Sequence, residues 1–317
     1  MDPAQFLRGN AFPAAGKVAY PRAKADDRLP RDTWNMASIP AGVRLDFVGD
    51  AVVEIGYRTA DDSAGYRPER GKCFESWLDE ELLDSAEVMH GEGKVRVRTG
   101  AVYFPEWMKP TILSVDAVEG DLSSPPPRPR WIAYGDSVLE GWVATSPALT
   151  WPMVAARTHG LDVVNMGYAG AARGEIVSAE HISELQADII SITHGTNCWT
   201  RTPHSVEQMA ANTRAFLDVV RHGHPDTPIV VASPIVRPDA EETPNSLGAT
   251  LADLRAAMES VVEDRIAAGD DNLELVFGLP IVPVDQLADG IHPNDAGHRA
   301  LADAVGPAVA AAVARRG

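Results

Sequence analysis

The chain has 317 residues, 45% hydrophobic and 23% charged, enough to bury a substantial core and long for one small domain, so two domains are expected. Its 45 acidic against 28 basic residues give a formal charge of −17, a field that repels phosphate backbones and anionic lipid and so argues against nucleic-acid or membrane-surface roles. The opening residues lack a basic start followed by an apolar run, no stretch approaches the roughly 18 apolar residues of a membrane span, and Cys73 and Cys198 stand in no metal-ligand spacing, so a cytoplasmic protein with reduced thiols is expected.

From about residue 40 to 118 the pattern is that of strands. Val43, Leu45 and Phe47 alternate with Arg44 and Asp46, and Val53, Ile55 and Tyr57 follow the turn-like Gly49-Asp50. Val95 and Val97 alternate with Lys94, Arg96 and Arg98, and residues 101–104 and 112–118 add further runs. Period-two patterning broken by Gly, Pro and Asp predicts antiparallel sheets with one buried face, arranged as a sandwich or jelly roll. The proline-rich stretch 123–130 reads as a stiff connector. The expected division is therefore a sandwich over 1–122, a linker over 123–130 and a second domain over 131–317.

Beyond the connector the pattern changes. Short apolar runs at 131–134, 163–166, 189–193, 229–232 and 273–277 alternate with helical stretches, among them 206–221, 251–267 and 300–314. Met209, Thr213, Phe216, Leu217 and Val220 recur at helical spacing within the first of these. Strands separated by helical crossovers predict a parallel sheet covered on both faces, with chemistry in the loops at the carboxyl ends of the strands.

Four motifs fall at those strand ends. The first run closes on Gly135-Asp136-Ser137, where a serine entering a helix exposes its hydroxyl and sets its own N–H at the positive end of the helix. The same three residues alone read equally as a helix cap. The second closes on Asn165-Met166-Gly167-Tyr168-Ala169-Gly170, whose glycine spacing is not that of a dinucleotide loop. The third closes on Gly195-Thr196-Asn197, a turn asparagine or a side-chain amide aimed at an oxyanion. After the fifth comes Asp289-Gly290-Ile291-His292-Pro293, in which a carboxylate three residues before a histidine can orient its Nδ1–H and leave Nε2 as a base.

This ordered set resembles the SGNH hydrolases, also called GDSL esterases, over about residues 128–317. The resemblance implies an α/β fold, a flavodoxin-like three-layer sandwich with a five-stranded parallel sheet, preceded here by the all-β sandwich or jelly-roll domain. It further implies Ser137 as nucleophile, His292 and Asp289 as its base and orienting carboxylate, and the Ser137 N–H, the Gly170 N–H and the Asn197 amide as oxyanion donors. Gly170 fits the family glycine better than Gly167, because that glycine lies five residues beyond the asparagine of its block. Cys198 stands where relatives often carry aspartate. Strand-rich domains ahead of such a catalytic unit make the chain similar to carbohydrate acetyl esterases and to actinobacterial acyltransferases that decorate polyketides.

The activity so implied is hydrolysis of a small-molecule or carbohydrate ester through an acyl-enzyme. The alternative is transfer from an ester or thioester donor to a sugar or natural-product hydroxyl. No cofactor or metal is implied, and no nucleic-acid or membrane partner. Outside this class stand a non-catalytic carbohydrate-binding protein and a nucleotide- or flavin-binding sheet; the G-x-S-x-G elbow of α/β-hydrolases is absent. Trp142 and Trp199 are candidates for pocket walls or for loop packing, Arg173 for an anion contact or a solvated arginine, and His298 for a helix-start histidine rather than a second base.

Overall fold

The computed structural model describes residues 1–60 and 72–315. The N-terminal half holds short β1 (Leu7–Arg8), helix α1 (Arg31–Ala37) and seven longer strands: β2 (Arg44–Asp46), β3 (Val48–Arg58), β4 (Cys73–Leu78), β5 (Glu81–Glu87), β6 (Glu92–Arg98), β7 (Ala101–Tyr103) and β8 (Thr111–Ser123). They form two antiparallel sheets, of order β1-β2-β7-β4-β5 and β6-β3-β8. The alternation read from sequence sets the faces. Val53, Ile55, Val95 and Val97 point inward onto Leu45, Phe74, Val102 and Phe104, while Lys94 and Arg96 on the outer face pair with Glu54.

The C-terminal half runs β9 (Arg130–Gly135), α2 (Ser137–Glu140), α3 (Trp151–His159), β10 (Asp162–Gly167), α4 (Ile176–Ser183), β11 (Ile189–Thr193), α5 (Asn197–Thr200), α6 (Val206–Gly223), β12 (Ile229–Ala232), α7 (Leu251–Ala267), β13 (Leu273–Val276) and α8 (Asp295–Ala314). Its five strands pair in parallel in the order β10-β9-β11-β12-β13, the order of a flavodoxin-like sheet, which is the fold the family resemblance implies. Alternate residues of β9 serve opposite faces. Trp131 and Ala133 pack with α3 and α8, and Ile132 and Tyr134 with α4, α6 and α7. Capping boxes fix where two of the helices begin, Ser205 with Gln208 at α6 and Thr250 with Asp253 at α7.

The segment before β2 contributes to both cores: Phe6 and β1 join the sandwich. Phe12, Ala23, Leu29 and Ala37 are buried in the core of the α/β half, not in the sandwich. The cause is local: beyond β1 this stretch has few apolar residues in regular alternation and lays scattered apolar side chains over the α/β face. The connector is equally well anchored. Arg8 donates to the Pro125 carbonyl at 3.2 Å, and across the two halves Arg44 pairs with Asp162 at 3.0 Å and Arg157 donates to Tyr103 Oη at 2.8 Å.

Candidate active site

The polar residues singled out in the sequence meet where β9, β10 and β11 end, around the point at which successive crossovers leave β9 in opposite directions. Asp136, almost fully buried, caps α2: its carboxylate accepts the Val138 N–H at 3.0 Å and the amides of Thr196 and Gly195, tying the first motif to the third. Burial raises its pKa to about 6 against the pull of those hydrogen bonds. Ser137, first residue of α2, lines a cleft with its hydroxyl while its N–H stands in the unsatisfied first turn.

His292 arrives from the loop after β13. Its Nε2 lies 2.9 Å from Ser137 Oγ, and its Nδ1–H donates to Asp289 Oδ2 at 2.8 Å. Asp289 Oδ1 accepts the backbone N–H groups of Ile291 at 3.1 Å and His292 at 2.8 Å, so the carboxylate fixes both the ring and the turn that carries it. Gly290, at φ +79°, supplies the left-handed residue of that turn. Partial burial alone would raise the Asp289 pKa, but the hydrogen bonds from His292 and Ile291 prevail and hold it below the usual carboxylate value. The carboxylate therefore stays ionised at neutral pH and favours a proton on Nδ1, leaving Nε2 able to accept one from Ser137.

Gly170 and Asn197 border the same cleft. Gly170 adopts φ +68°, and its N–H has no acceptor among the described residues. The Gly167 N–H is instead spent on Asn165 Oδ1 at 2.8 Å, and a Cβ at Gly167 would sit 2.4 Å from Glu140 N; it is a packing glycine. The Asn197 amide donates one hydrogen to the Ala172 carbonyl at 2.9 Å, which orients the second.

Two residues with no sequence signal complete the surroundings. Arg22 is wholly buried and donates to the carbonyls of Ile39 (2.5 Å), Met36 (2.7 Å), Asn165 (3.0 Å) and Gly167 and to Glu140 Oε2 (3.2 Å). The same Glu140 oxygen accepts the Ala169 N–H at 3.0 Å. One buried ion pair thus ties the N-terminal segment to the peptide just before Gly170. A basic residue amid Tyr20-Pro21-Arg22-Ala23-Lys24 looks like any surface arginine; only its three-dimensional setting distinguishes it.

Of the other sequence candidates, Trp142 lines the cleft edge-on to Trp107, with ring centroids 6.0 Å apart. Trp199 turns to a structural role, donating to the Thr243 carbonyl at 2.8 Å under the Arg237 guanidinium. Arg173 is neither an anion contact nor solvated: it clasps Asp32 of α1 in a bidentate pair at 2.9 and 3.0 Å. His298 is buried, and its Nδ1 accepts the Trp151 N–H at 3.3 Å. Cys198 is buried, and burial pushes its thiol well above the ordinary range, far from a nucleophilic thiolate. The cleft measures about 1590 Å³, and Tyr20, Trp34 and Trp107 from the N-terminal half line it together with Ser137 and His292.

The model of the GDSL-like lipase/acylhydrolase family matches residues 129–310, which contain every motif just described. The chain belongs to this family. Within it, the GDSL lipase Rv0518 of Mycobacterium tuberculosis (strain ATCC 25618 / H37Rv) is 30% identical over 173 residues, 51% of this chain and 71% of that protein. Among solved structures, the salicylyl-acyltransferase SsfX3 from a tetracycline biosynthetic pathway superposes with a TM-score of 0.81 at 25% identity, over 97% of this chain and 94% of the other. A family two carbohydrate esterase from Clostridium thermocellum shares the fold with a TM-score of 0.63 at 16% identity, over 84% and 90% of the two chains. Membership carries the enzyme class: this GDSL protein is a serine esterase or acylhydrolase of the SGNH type. No described helix is long and apolar enough to cross a membrane.

Proposed function

We propose that Ser137 is the nucleophile, His292 its base and Asp289 the orienting carboxylate, with the Ser137 and Gly170 N–H groups and the Asn197 amide holding the oxyanion. The observation that carries this reading is the relay Asp289–His292–Ser137, at 2.8 and 2.9 Å, opening into a cleft with two further donors on its wall. Ser137 Oγ bonds to the ester carbonyl carbon as its proton passes to His292 Nε2. The C–O bond to the alcohol then breaks, and the leaving oxygen takes that proton. Water attacks the acyl-serine, gives its proton to Nε2, and Ser137 departs reprotonated beside the free acid.

The substrate class we infer is a small-molecule or carbohydrate ester. A second reading, transfer of the acyl group to an alcohol in place of water, is favoured by the likeness to an acyltransferase along nearly the whole chain, and by a cleft larger than the roughly 300–1,000 Å³ usual for one small ligand. We also read the N-terminal strands as a jelly-roll-type accessory domain, over 1–122 with a linker at 123–130 and the catalytic domain at 131–317. Arg22 and Phe12 modify that division by belonging physically to the catalytic half. Two free thiols, Cys73 and Cys198, support a cytoplasmic setting. The deciding experiment offers p-nitrophenyl esters and acyl thioesters with and without sugar or polyphenolic alcohols, and weighs the products by mass spectrometry. Free acid alone supports hydrolysis, a new ester supports transfer, and neither with any donor contradicts both.

A further inference from the structure

The wall of the cleft is electrostatically unlike the rest of the molecule. In a chain with 45 acidic and 28 basic residues, its described lining includes Lys17, Arg58, Lys109, Arg201 and Arg237 and no aspartate or glutamate. Arg58 is answered by Glu92 and Arg237 by Asp239 at 2.8 Å, and Lys17 and Lys109 also have partners within the protein. Arg201 has no hydrogen-bond or ion-pair partner for its guanidinium among the described residues, although it is exposed and free to find one.

Its position is specific. Arg201 follows Asn197 by one helical turn, its N–H donating to the Asn197 carbonyl at 2.9 Å, so the two side chains rise on one face. A Cβ placed on Gly170 would stand 3.7 Å from both Nε and Nη2 of Arg201. The guanidinium therefore lies beside two proposed oxyanion donors. The leaving group, by contrast, has to lie where His292 Nε2 can protonate it.

We propose that Arg201 is an anion-recognition residue for the acyl side of the substrate, selecting acyl groups that carry a second carboxylate a few bonds beyond the scissile carbonyl. The inference deepens the acyl-transfer reading and rests on it. A planar guanidinium with parallel donors matches a carboxylate in bidentate fashion. At about 1.5 Å per C–C bond, a carboxylate two or three methylenes from the reacting carbon spans the gap from the oxyanion donors to that fork. The phosphates of a coenzyme-type thioester lie a whole pantetheine arm from its sulfur, on the leaving side, and do not fit this position.

The test compares matched donors, the N-acetylcysteamine thioesters of glutarate and of its neutral monoamide, with the monoamide coenzyme A thioester as a third arm and enzyme-free rates subtracted. The wild type is expected to prefer glutaryl over glutaramoyl in kcat/KM. Arg201→Gln should shrink that ratio about tenfold, Arg201→Lys should retain part of it, and Arg201→Glu should invert it. A ratio unchanged by Arg201→Gln overturns the proposal. So does an Arg201 effect that appears only between the coenzyme A and N-acetylcysteamine forms, which would assign the residue to leaving-group phosphate. If neither acyl thioester is turned over, with or without an acceptor alcohol, the acyl-transfer reading fails for these donors, separately from the site. Calorimetric binding of glutarate monoamide against glutaramide then decides the site: a preference for the anion lost in Arg201→Gln sustains it, and equal binding ends it.

Discussion

Replacing Arg22 by methionine removes a guanidinium that is 0% exposed and takes from the buried carboxylate of Glu140, itself 4% exposed, its ion-pair partner at 3.2 Å. It also strips the donor from the carbonyls of Ile39, Met36, Asn165 and Gly167. Breaking a buried ion pair from one side costs about 3–5 kcal/mol, a large share of a typical total of about 5–15 kcal/mol. With a urea dependence toward the upper end of about 1–3 kcal/mol/M for a chain this long, the unfolding midpoint should fall by roughly 1–2 M. Because Glu140 holds the Ala169 N–H, kcat toward an activated ester should also drop in the protein that remains folded. Glu140→Gln keeps an acceptor for both donors and should cost less. The double variant should be more stable than the two single losses added together, by about 0.5–3 kcal/mol, since only one side of the pair is ever left stranded in the single variants. Strict additivity, or an Arg22→Met protein with an unmoved midpoint and normal kcat, would refute the reasoning.

Three further outcomes follow from the same geometry. A fragment spanning 131–317 lacks Arg22, Phe12, Ala23 and Leu29 and should therefore fold poorly, by circular dichroism, and show no esterase turnover, whereas a folded, active fragment would show that the N-terminal segment is dispensable. Asn197→Ala should lower kcat by about 10²–10³ with KM little changed, and Cys198→Ser should leave both nearly intact; a rise in KM alone would make Asn197 an ordinary substrate contact. Asp136 titrates near 6 in the folded chain, above the value of about 3.9 expected when unfolded, so the folded state holds the proton more tightly. Its contribution is full below the unfolded value and is lost as pH rises through about 6. Wild-type stability, followed by urea unfolding, should thus fall across that window relative to Asp136→Asn, and parallel pH curves for the two proteins would count against the burial argument.

The sequence made the relay legible because its pieces obey strong local rules. A serine at a strand-to-helix turn, an asparagine at the next strand end and a carboxylate three residues before a histidine each need only a few neighbouring residues to be recognised. The parallel sheet was legible for the same reason, through apolar runs such as 189–193 separated by amphipathic helices such as α6. Arg22 was not, because its role depends on carbonyls from residues 36, 39, 165 and 167, which no local pattern joins. The difference between Gly167 and Gly170 likewise lay beyond local pattern: in the fold the Gly167 N–H is engaged by Asn165 Oδ1, whereas Gly170 lines the cleft. Arg173 and Trp199 were sequence candidates for ligand contact because loop residues near motifs always are, but Asp32 and Arg237 occupy them instead.

The central claim is that Ser137 is the activated nucleophile, driven by His292. A fluorophosphonate probe followed by peptide mass spectrometry tests it on the full chain. The account predicts a single adduct on Ser137 in the wild type, none in Ser137→Ala, and labelling slowed by orders of magnitude in His292→Ala, with the two variants as stable as the wild type to within about 1 kcal/mol. An adduct on another residue, or esterase activity that survives in Ser137→Ala, would contradict it.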